Sequence, residues 1–452
     1  MALNVDHLLN TNSTPSQEQR DNLRNFILQL DEDISGINEQ ILAMQAKILI
    51  LQTKRTQLVQ QRRCYSSLLS PVRCLPFEIF GKIFVYATRD RPRHVLNISA
   101  VCQLWRDAAL STPMLWSTLE LGHHTTRCNM DNHIDSWIER AHSYPLSLVF
   151  RKHDDFLDPV DSILTLITKH QWKSINLYSG EPTISSILRM LEFSNLEMLE
   201  SFTLAPCFYS KSIPGALRYL PNLKTLSLYS YYPVTFDALP FPWRQLTSLT
   251  IRIWNDDVAM DILQACVNLE EFIRDGNDDT SPGSNDSLPY FRKPHHSITL
   301  NYLRKLHTYS NDNMFLLFLK TPSIQDFAIK ANESKCIYDN DFYDYIEKNG
   351  SILLKLSIAP AESKLVERIP YLQSLVELQL YDNNADDNGS IITHKILSSL
   401  VVNPEMDPST IPLPRLERLE IICHATEENQ RMFMTVIDSR WWSDEEENAK
   451  QK

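Results

Sequence analysis

The N-terminal stretch carries apolar residues in alternating steps of four and three: Leu23, Ile27, Leu30, Ile34, Ile37, Ile41, Met44, Ile48 and Leu51. That is a heptad seam, and it predicts a long helix over residues 17–65. Ile27, Ile34, Ile41 and Ile48 take the a positions, while Leu30, Ile37, Met44, Leu51 and Leu58 take d, a mixture that favours two parallel strands. Residues 23–58 therefore suit a homodimer. Leu28, Leu42, Leu49 and Ile50 lie off the seam, Gly36 interrupts it, and Arg55 and Arg62 occupy later a positions. The wide apolar face equally suits packing on the chain's own domains. Residues 1–16 are polar and aperiodic, and are expected to be disordered.

Between Leu75 and Leu119 the apolar residues cluster more densely. Proline is tolerated at a helix start because its missing donor would be unpaired there, so a helix is expected from about Pro76, with Glu78 facing the positive end of the dipole. Ile79 and Ile83 share one line of that helix, Phe80 and Phe84 the neighbouring one. A second helix after Pro92 would align Val95, Ile98, Val101, Cys102 and Trp105. About forty-five residues cannot bury both sets among themselves, and a surplus apolar face marks a partner site. A small helical bundle with an ordinary core is the plain alternative.

Leu75-Pro76-x-Glu78, Ile79-Phe80, Val101-Cys102-x-x-Trp105-Arg106 and Leu115-Trp116 stand in that order and at that spacing in the F-box family, which residues 70–121 resemble. The resemblance implies docking on the Skp-type adaptor of an SCF ubiquitin ligase and, through it, on a cullin-RING ligase. Leu75, Pro76, Glu78, Ile79, Ile83, Phe84, Val101, Cys102, Trp105 and Trp116 would carry the adaptor contact.

From residue 172 another phrase recurs: an apolar residue, two others, an apolar residue, one other, an apolar residue. Trp172, Ile175, Leu177 opens the series. Leu199, Phe202, Leu204; Leu223, Leu226, Leu228; Leu246, Leu249, Ile251 follow, and the last is Leu416, Leu419, Ile421. With the degraded copy at Leu269 and Phe272 there are ten. Amphipathic segments such as Ile184 to Leu191 and Val258 to Cys266 separate them, giving a strand-turn-helix unit. Residues 122–440 thus resemble a degenerate leucine-rich-repeat solenoid. A doubly wound α/β sheet would want Gly-rich turns and β-branched strands, which are missing. The position three residues past the second apolar one holds Tyr178, Tyr229, Arg252, Tyr309, Lys330 and Tyr381, a row on the concave side suited to binding a target protein. The same tyrosines could instead stack on one another across the strands.

Net charge is −12, from 44 basic and 56 acidic residues. Only 13 of the basic and 11 of the acidic residues precede residue 126, so the acidity belongs to the C-terminal part. Such a field repels nucleic acid and favours a basic target, while also serving solubility. Eight cysteines are scattered singly, with no signal peptide ahead of them, and are expected to be reduced in cytoplasm or nucleus. No run approaches a membrane span.

Candidate chemistry is thin. His123, His124, Cys128 and His133 match no common zinc spacing. Asn384, Asp386, Asn388 and Gly389 mimic the start of a calcium loop, but Lys395 stands where its bidentate carboxylate is required. Asp275 to Asp286 and Asp382 to Ser390 are expected as mobile loops, and 441–452 as an acidic tail. There is no phosphate-cradling loop or nucleophile elbow, so no catalytic residue and no cofactor is expected. The sequence reads as a substrate-recognition subunit of an SCF-type ligase. The alternative is a scaffold with the same coiled coil and repeats outside any ligase.

Overall fold

The computed structural model describes residues 14–121, 130–152, 168–179, 181–191, 196–206, 213, 215–230, 234–252, 256–275, 297–309, 314–330, 340–359, 363–381, 387–403, 405–407, 410–422 and 426–441. The chain divides after Phe80 into two compact units, Met1–Phe80 and Gly81–Lys452.

The first unit is built on α1 (Gln17–Leu68), a 52-residue helix. Ser16 starts it with a capping box: its hydroxyl accepts from the Gln19 amide, and the Gln19 side chain accepts from the Ser16 amide. No residue of α1 is buried. Its apolar seam, Ile27 to Leu58, is exposed.

Three short helices follow: α2 (Phe77–Thr88), α3 (His94–Ser99) and α4 (Gln103–Leu110), closed by a 3-10 turn at Pro113–Trp116. The single helix expected from Val95 to Trp105 is two. Cys102 is fully extended, at φ −161° and ψ 171°, so α3 stops and α4 begins again at Gln103.

The second unit is dominated by one parallel sheet of twelve strands laid down in chain order: β1 (Thr118–Leu121), β2 (Leu146–Lys152), β3 (Trp172–Ser179), β4 (Ser201–Pro206), β5 (Thr225–Tyr229), β6 (Ser248–Arg252) and β7 (Glu271–Arg274), then β9 (Lys305–Thr308), β11 (Asp326–Lys330), β12 (Lys355–Ala359), β13 (Glu377–Tyr381) and β14 (Arg418–Ile422). Two short strands, β8 (Ile298–Thr299) and β10 (Leu319–Lys320), pair separately. Because no strand is inserted out of order, the doubly wound alternative is ruled out and the architecture is leucine-rich-repeat-like.

All ten phrases lie on strands or lead into them, and their apolar positions are in register. Leu148, Ile175, Phe202, Leu226, Leu249, Phe272, Leu306, Phe327, Leu356 and Leu378 form one inward row across neighbouring strands. Every one of them is buried. A second inward row runs from Leu121 and Phe150 to Leu380, interrupted at Arg274 and Thr308. There the Arg274 guanidinium lies over the Phe315 ring at 5.0 Å. Two strands, β1 and β2, precede the first phrase that the sequence pattern identified.

On the return side, α5 (Met130–Ala141) follows β1, and α6 (Glu181–Leu191), α7 (Asp256–Ala265), α8 (Asn340–Asn349) and α9 (Asp387–Ser399) fill the segments expected to be helical. Elsewhere a 3-10 turn replaces the helix, as between β5 and β6, where Phe236, Phe241 and Trp243 stack against one another and fill the space. Helix α9 begins inside the segment expected as a loop, so Asn388 and Gly389 are helical, while Asn384, Asp386 and most of 275–286 lie outside the described residues. The terminal tail from 442 also lies outside them.

Adjacent repeats are also stitched by polar side chains. The Asn222 amide donates to the Glu197 carbonyl at 2.7 Å and Asn268 to Arg244 at 2.8 Å, each one repeat back. Gln245 donates to both Leu220 and Leu223, the latter at 2.9 Å. At the far end, α10 (Glu427–Trp441) buries Val436, and Arg440 donates to the carbonyls of Leu400 at 2.8 Å, Leu413 at 3.2 Å and Pro412. Replacing Arg440 with alanine orphans three carbonyls and should cost about 3 kcal/mol, visible as a lower denaturant midpoint and faster amide exchange in α10. Gln245→Ala should cost about 1 to 2 kcal/mol without changing the unfolding slope.

Candidate interaction surfaces

The helical module has a closed core. Within the second unit, Ala108 and Ala109 are fully buried, and a β-carbon placed on Gly81 would lie 2.8 Å from Thr112 Oγ1. Glycine at 81 is thus what lets α2 approach the end of α4. Thr112 Oγ1 in turn donates to the Ala108 carbonyl at 2.8 Å. Phe84 is 2% exposed and lies 5.1 Å, ring to ring, from the half-buried Trp105.

Trp116 joins this core to the sheet. Its Nε1 donates to the Ala109 carbonyl at 2.9 Å, Trp137 of α5 meets it edge-on at 4.9 Å, and the Arg140 guanidinium sits 4.6 Å over its ring. One residue later β1 begins. Ser117 gives its carbonyl to the Ser147 amide, so by the alternation of a strand the Glu120 carbonyl points away from β2. Arg93 fills that position, donating to it from Nη2 at 2.8 Å and Nε at 3.2 Å. The module thus satisfies one outward carbonyl on the first edge of the sheet.

What the core does not use is exposed. On α2, Ile79 (39%) and Ile83 (48%) lie one turn apart and Tyr86 (81%) continues their line, whereas Phe80, Phe84 and Thr88 are buried. Val101 is 59% exposed; Pro76, Glu78 and Cys102 are exposed and Leu75 is half-buried. Two of the ten residues assigned to the adaptor contact, Phe84 and Trp116, are internal, so they can serve such a contact only through the helices they support. Exposed Phe77, Leu96 and Met114 were missed by the sequence reading. Their signal was the complement of the core pattern: apolar residues off the buried line.

The solvent-facing side of the sheet carries three rows. The first holds Ser147, Ser174, Ser201, Thr225 and Ser248 over β2 to β6, then Glu271, Lys305, Asp326, Lys355, Glu377 and Arg418, where opposite charges alternate. Lys355 meets Glu377 at 3.3 Å, and Glu377 also faces Arg418 at 3.5 Å. In the middle row His307 Nε2 lies 3.0 Å from Asp326.

The third row contains all six residues singled out for target binding, each half-buried. They alternate with cations rather than stacking ring on ring. Arg151 lies 4.5 Å over Tyr178, Arg252 lies 5.7 Å over Tyr229 and is held by Asp275 at 2.7 Å, and Lys330 reaches both Tyr309 at 5.7 Å and Tyr381 at 4.8 Å across Ala359. Burial, then Asp275, pushes the Tyr229 and Tyr309 hydroxyls above their ordinary value, so both remain donors at neutral pH. Cys266, the buried thiol under β7, is pushed up to about 12 by burial and stays protonated.

Of the histidine-cysteine cluster, His123, His124 and Cys128 lie outside the described residues, as do the surroundings of His133. Among the described residues no helix is long and apolar enough to cross a membrane.

Residues 72–121 match the F-box-like family and form an F-box-like domain. No curated protein matches the sequence significantly. Among solved structures, a leucine-rich-repeat protein of Leptospira interrogans aligns at 12% identity with a TM-score of 0.28, over 73% of this chain and 91% of that one. The repeat assignment rests on the in-register ladder of this chain.

The Gly81 contact gives a sign-reversing test. Gly81→Ala should destabilise the module by about 1 to 2 kcal/mol by displacing Thr112 from its bond to Ala108. With Thr112→Ala already present, the same change should stabilise by about 1 kcal/mol through helix propensity, as read by a thermal double-mutant cycle.

Proposed function

We propose that this chain is the non-catalytic receptor subunit of a cullin-RING ubiquitin ligase, docking through residues 75–114 on a Skp-type adaptor and holding a target protein on the solvent-facing side of its sheet. One observation carries the reading: an F-box-like module with a closed core of its own leaves Ile79, Ile83, Tyr86, Leu96, Val101 and Met114 exposed. Such a face contributes nothing to the chain that bears it. Covered by a partner, it gains on the order of 25 cal/mol for each Å² removed from water. The chain then accelerates ubiquitin transfer by concentrating a target beside a loaded enzyme that acts elsewhere.

The target seat is best placed on β2 to β6. Short hydroxyl side chains leave room there, and Tyr178, Tyr229 and Arg252 border it with aromatic faces and a forked donor. Over β12 to β14, Lys355, Glu377 and Arg418 are occupied with one another. The acidic balance of the C-terminal part favours a basic target. The setting is cytoplasmic or nuclear, and the chain acts without a cofactor. A scaffold outside any ligase is the competing reading.

The two separate on adaptor capture. With Ile79→Asp and Ile83→Asp together, co-purification with a Skp-type adaptor should fall at least a hundredfold while the far-ultraviolet spectrum and melting temperature hold. Absence of adaptor capture by the folded unsubstituted chain leaves the scaffold reading standing instead, and unchanged capture by the folded variant removes the contact from Ile79 and Ile83.

A further inference from the structure

The uncovered seam of α1 is used neither by the fold nor by the proposed docking. We infer that α1 pairs with α1 of a second copy of this chain as an antiparallel two-stranded coiled coil. This is independent of the ligase reading.

The occupant follows from the charge along the helix. Its first half holds six carboxylates, Asp31, Glu32, Asp33 and Glu39 among them, against Arg20 and Arg24, while its second half holds Lys47, Lys54, Arg55, Arg62 and Arg63 and no carboxylate. The seam residues Ile27 to Leu58 are 43% to 64% exposed. A like helix supplies both the matching apolar spacing and the opposite charge, provided it runs the other way.

Orientation is the decisive point. In a parallel pair, Arg55 would face its own copy within the seam, as would Arg62, stacking cation on cation, and acidic half would lie on acidic half. In the antiparallel pair Ile27 faces Leu51 of the second copy, Leu30 faces Ile48, Ile34 faces Met44 and Ile37 faces Ile41. Symmetry doubles these contacts, so every layer between residues 27 and 51 is apolar. Arg55 then meets Leu23 at the rim, where a long side chain reaches water, and Arg62 falls beyond the start of the partner helix. Asp33 faces Lys47 of the second copy at the flanking g positions, which set orientation in coiled coils. The alternation of isoleucine and leucine alone favours two parallel strands; the segregated charge reverses that expectation. With an overlap of about 65 Å, the two chains would leave the pair at Leu68 about 90 Å apart.

The full-length chain should run as a dimer by light scattering at micromolar concentration. Leu30→Cys and Ile48→Cys, prepared as separate chains and mixed under mild oxidation, should give a 30-to-48 linked peptide by mass spectrometry, and Ile48→Cys alone should give no 48-to-48 link. Mapping the peptides separates these links from any at exposed Cys64, Cys74 or Cys102. Asp33→Lys should weaken dimerisation about tenfold and adding Lys47→Asp should restore it. A 48-to-48 link, a monomer, a tetramer that also covers Leu28 and Leu42, or absence of rescue by the charge swap would each overturn the antiparallel pair.

Discussion

No strand of this protein closes a core by itself. Each contributes two inward side chains and a leading apolar residue, and these become buried only when the next strand lies alongside in register. That constraint explains why the sheet runs in chain order, and why every interval returns the chain to the same side. It also explains how the return can be a helix in one repeat and a 3-10 turn with stacked aromatics in another. What has to be conserved along the ladder is volume behind the strands, and Phe236, Phe241 and Trp243 supply by bulk what α6 and α7 supply by length. A ladder of this kind has two ends, and at each an arginine donates to backbone carbonyls: Arg93 to Glu120 of β1, and Arg440 to the segment that leads into β14.

The first of these ends bears on function. The F-box-like module is joined to the sheet through Trp116, which is part of the module's motif and also touches the first return helix. Residues 81–121 and β1 therefore share one packed interior. If the chain works as proposed, such a joint keeps the spacing between its two binding faces, on which effective concentration depends steeply. On the face of the sheet the tyrosine row is organised by cations seated over the rings of Tyr178, Tyr229, Tyr309 and Tyr381.

Much of this was legible in the sequence. The ten phrases from Trp172 to Ile421 became ten strands because the spacing of three then two marks a residue entering a strand and two side chains on one face. The first repeat was hidden in plain view: Trp116, Leu119 and Leu121 obey the same spacing, but Trp116 had already been assigned to the helical motif. The break at Cys102 was not readable, since Val95 to Trp105 keeps helical periodicity across it. Nor were the Asn222, Gln245 and Asn268 stitches, whose signal is a polar amide one residue ahead of each phrase and not the asparagine sought after the strand. On α2, periodicity did not separate the exposed Ile79 and Ile83 from the buried Phe84, because apolar residues on both lines of an α-helix look alike until the neighbouring elements are in place.

The position of β1 has a further bearing on how such a protein can arise. A module that contains the first strand of the sheet is no bead on a string. Lifting residues 72–121 into another gene would carry β1 away with them and leave β2 with bare amides and carbonyls, a ready template for aggregation. Exchange between lineages must then cut within the sheet, or import both halves as a single inheritance.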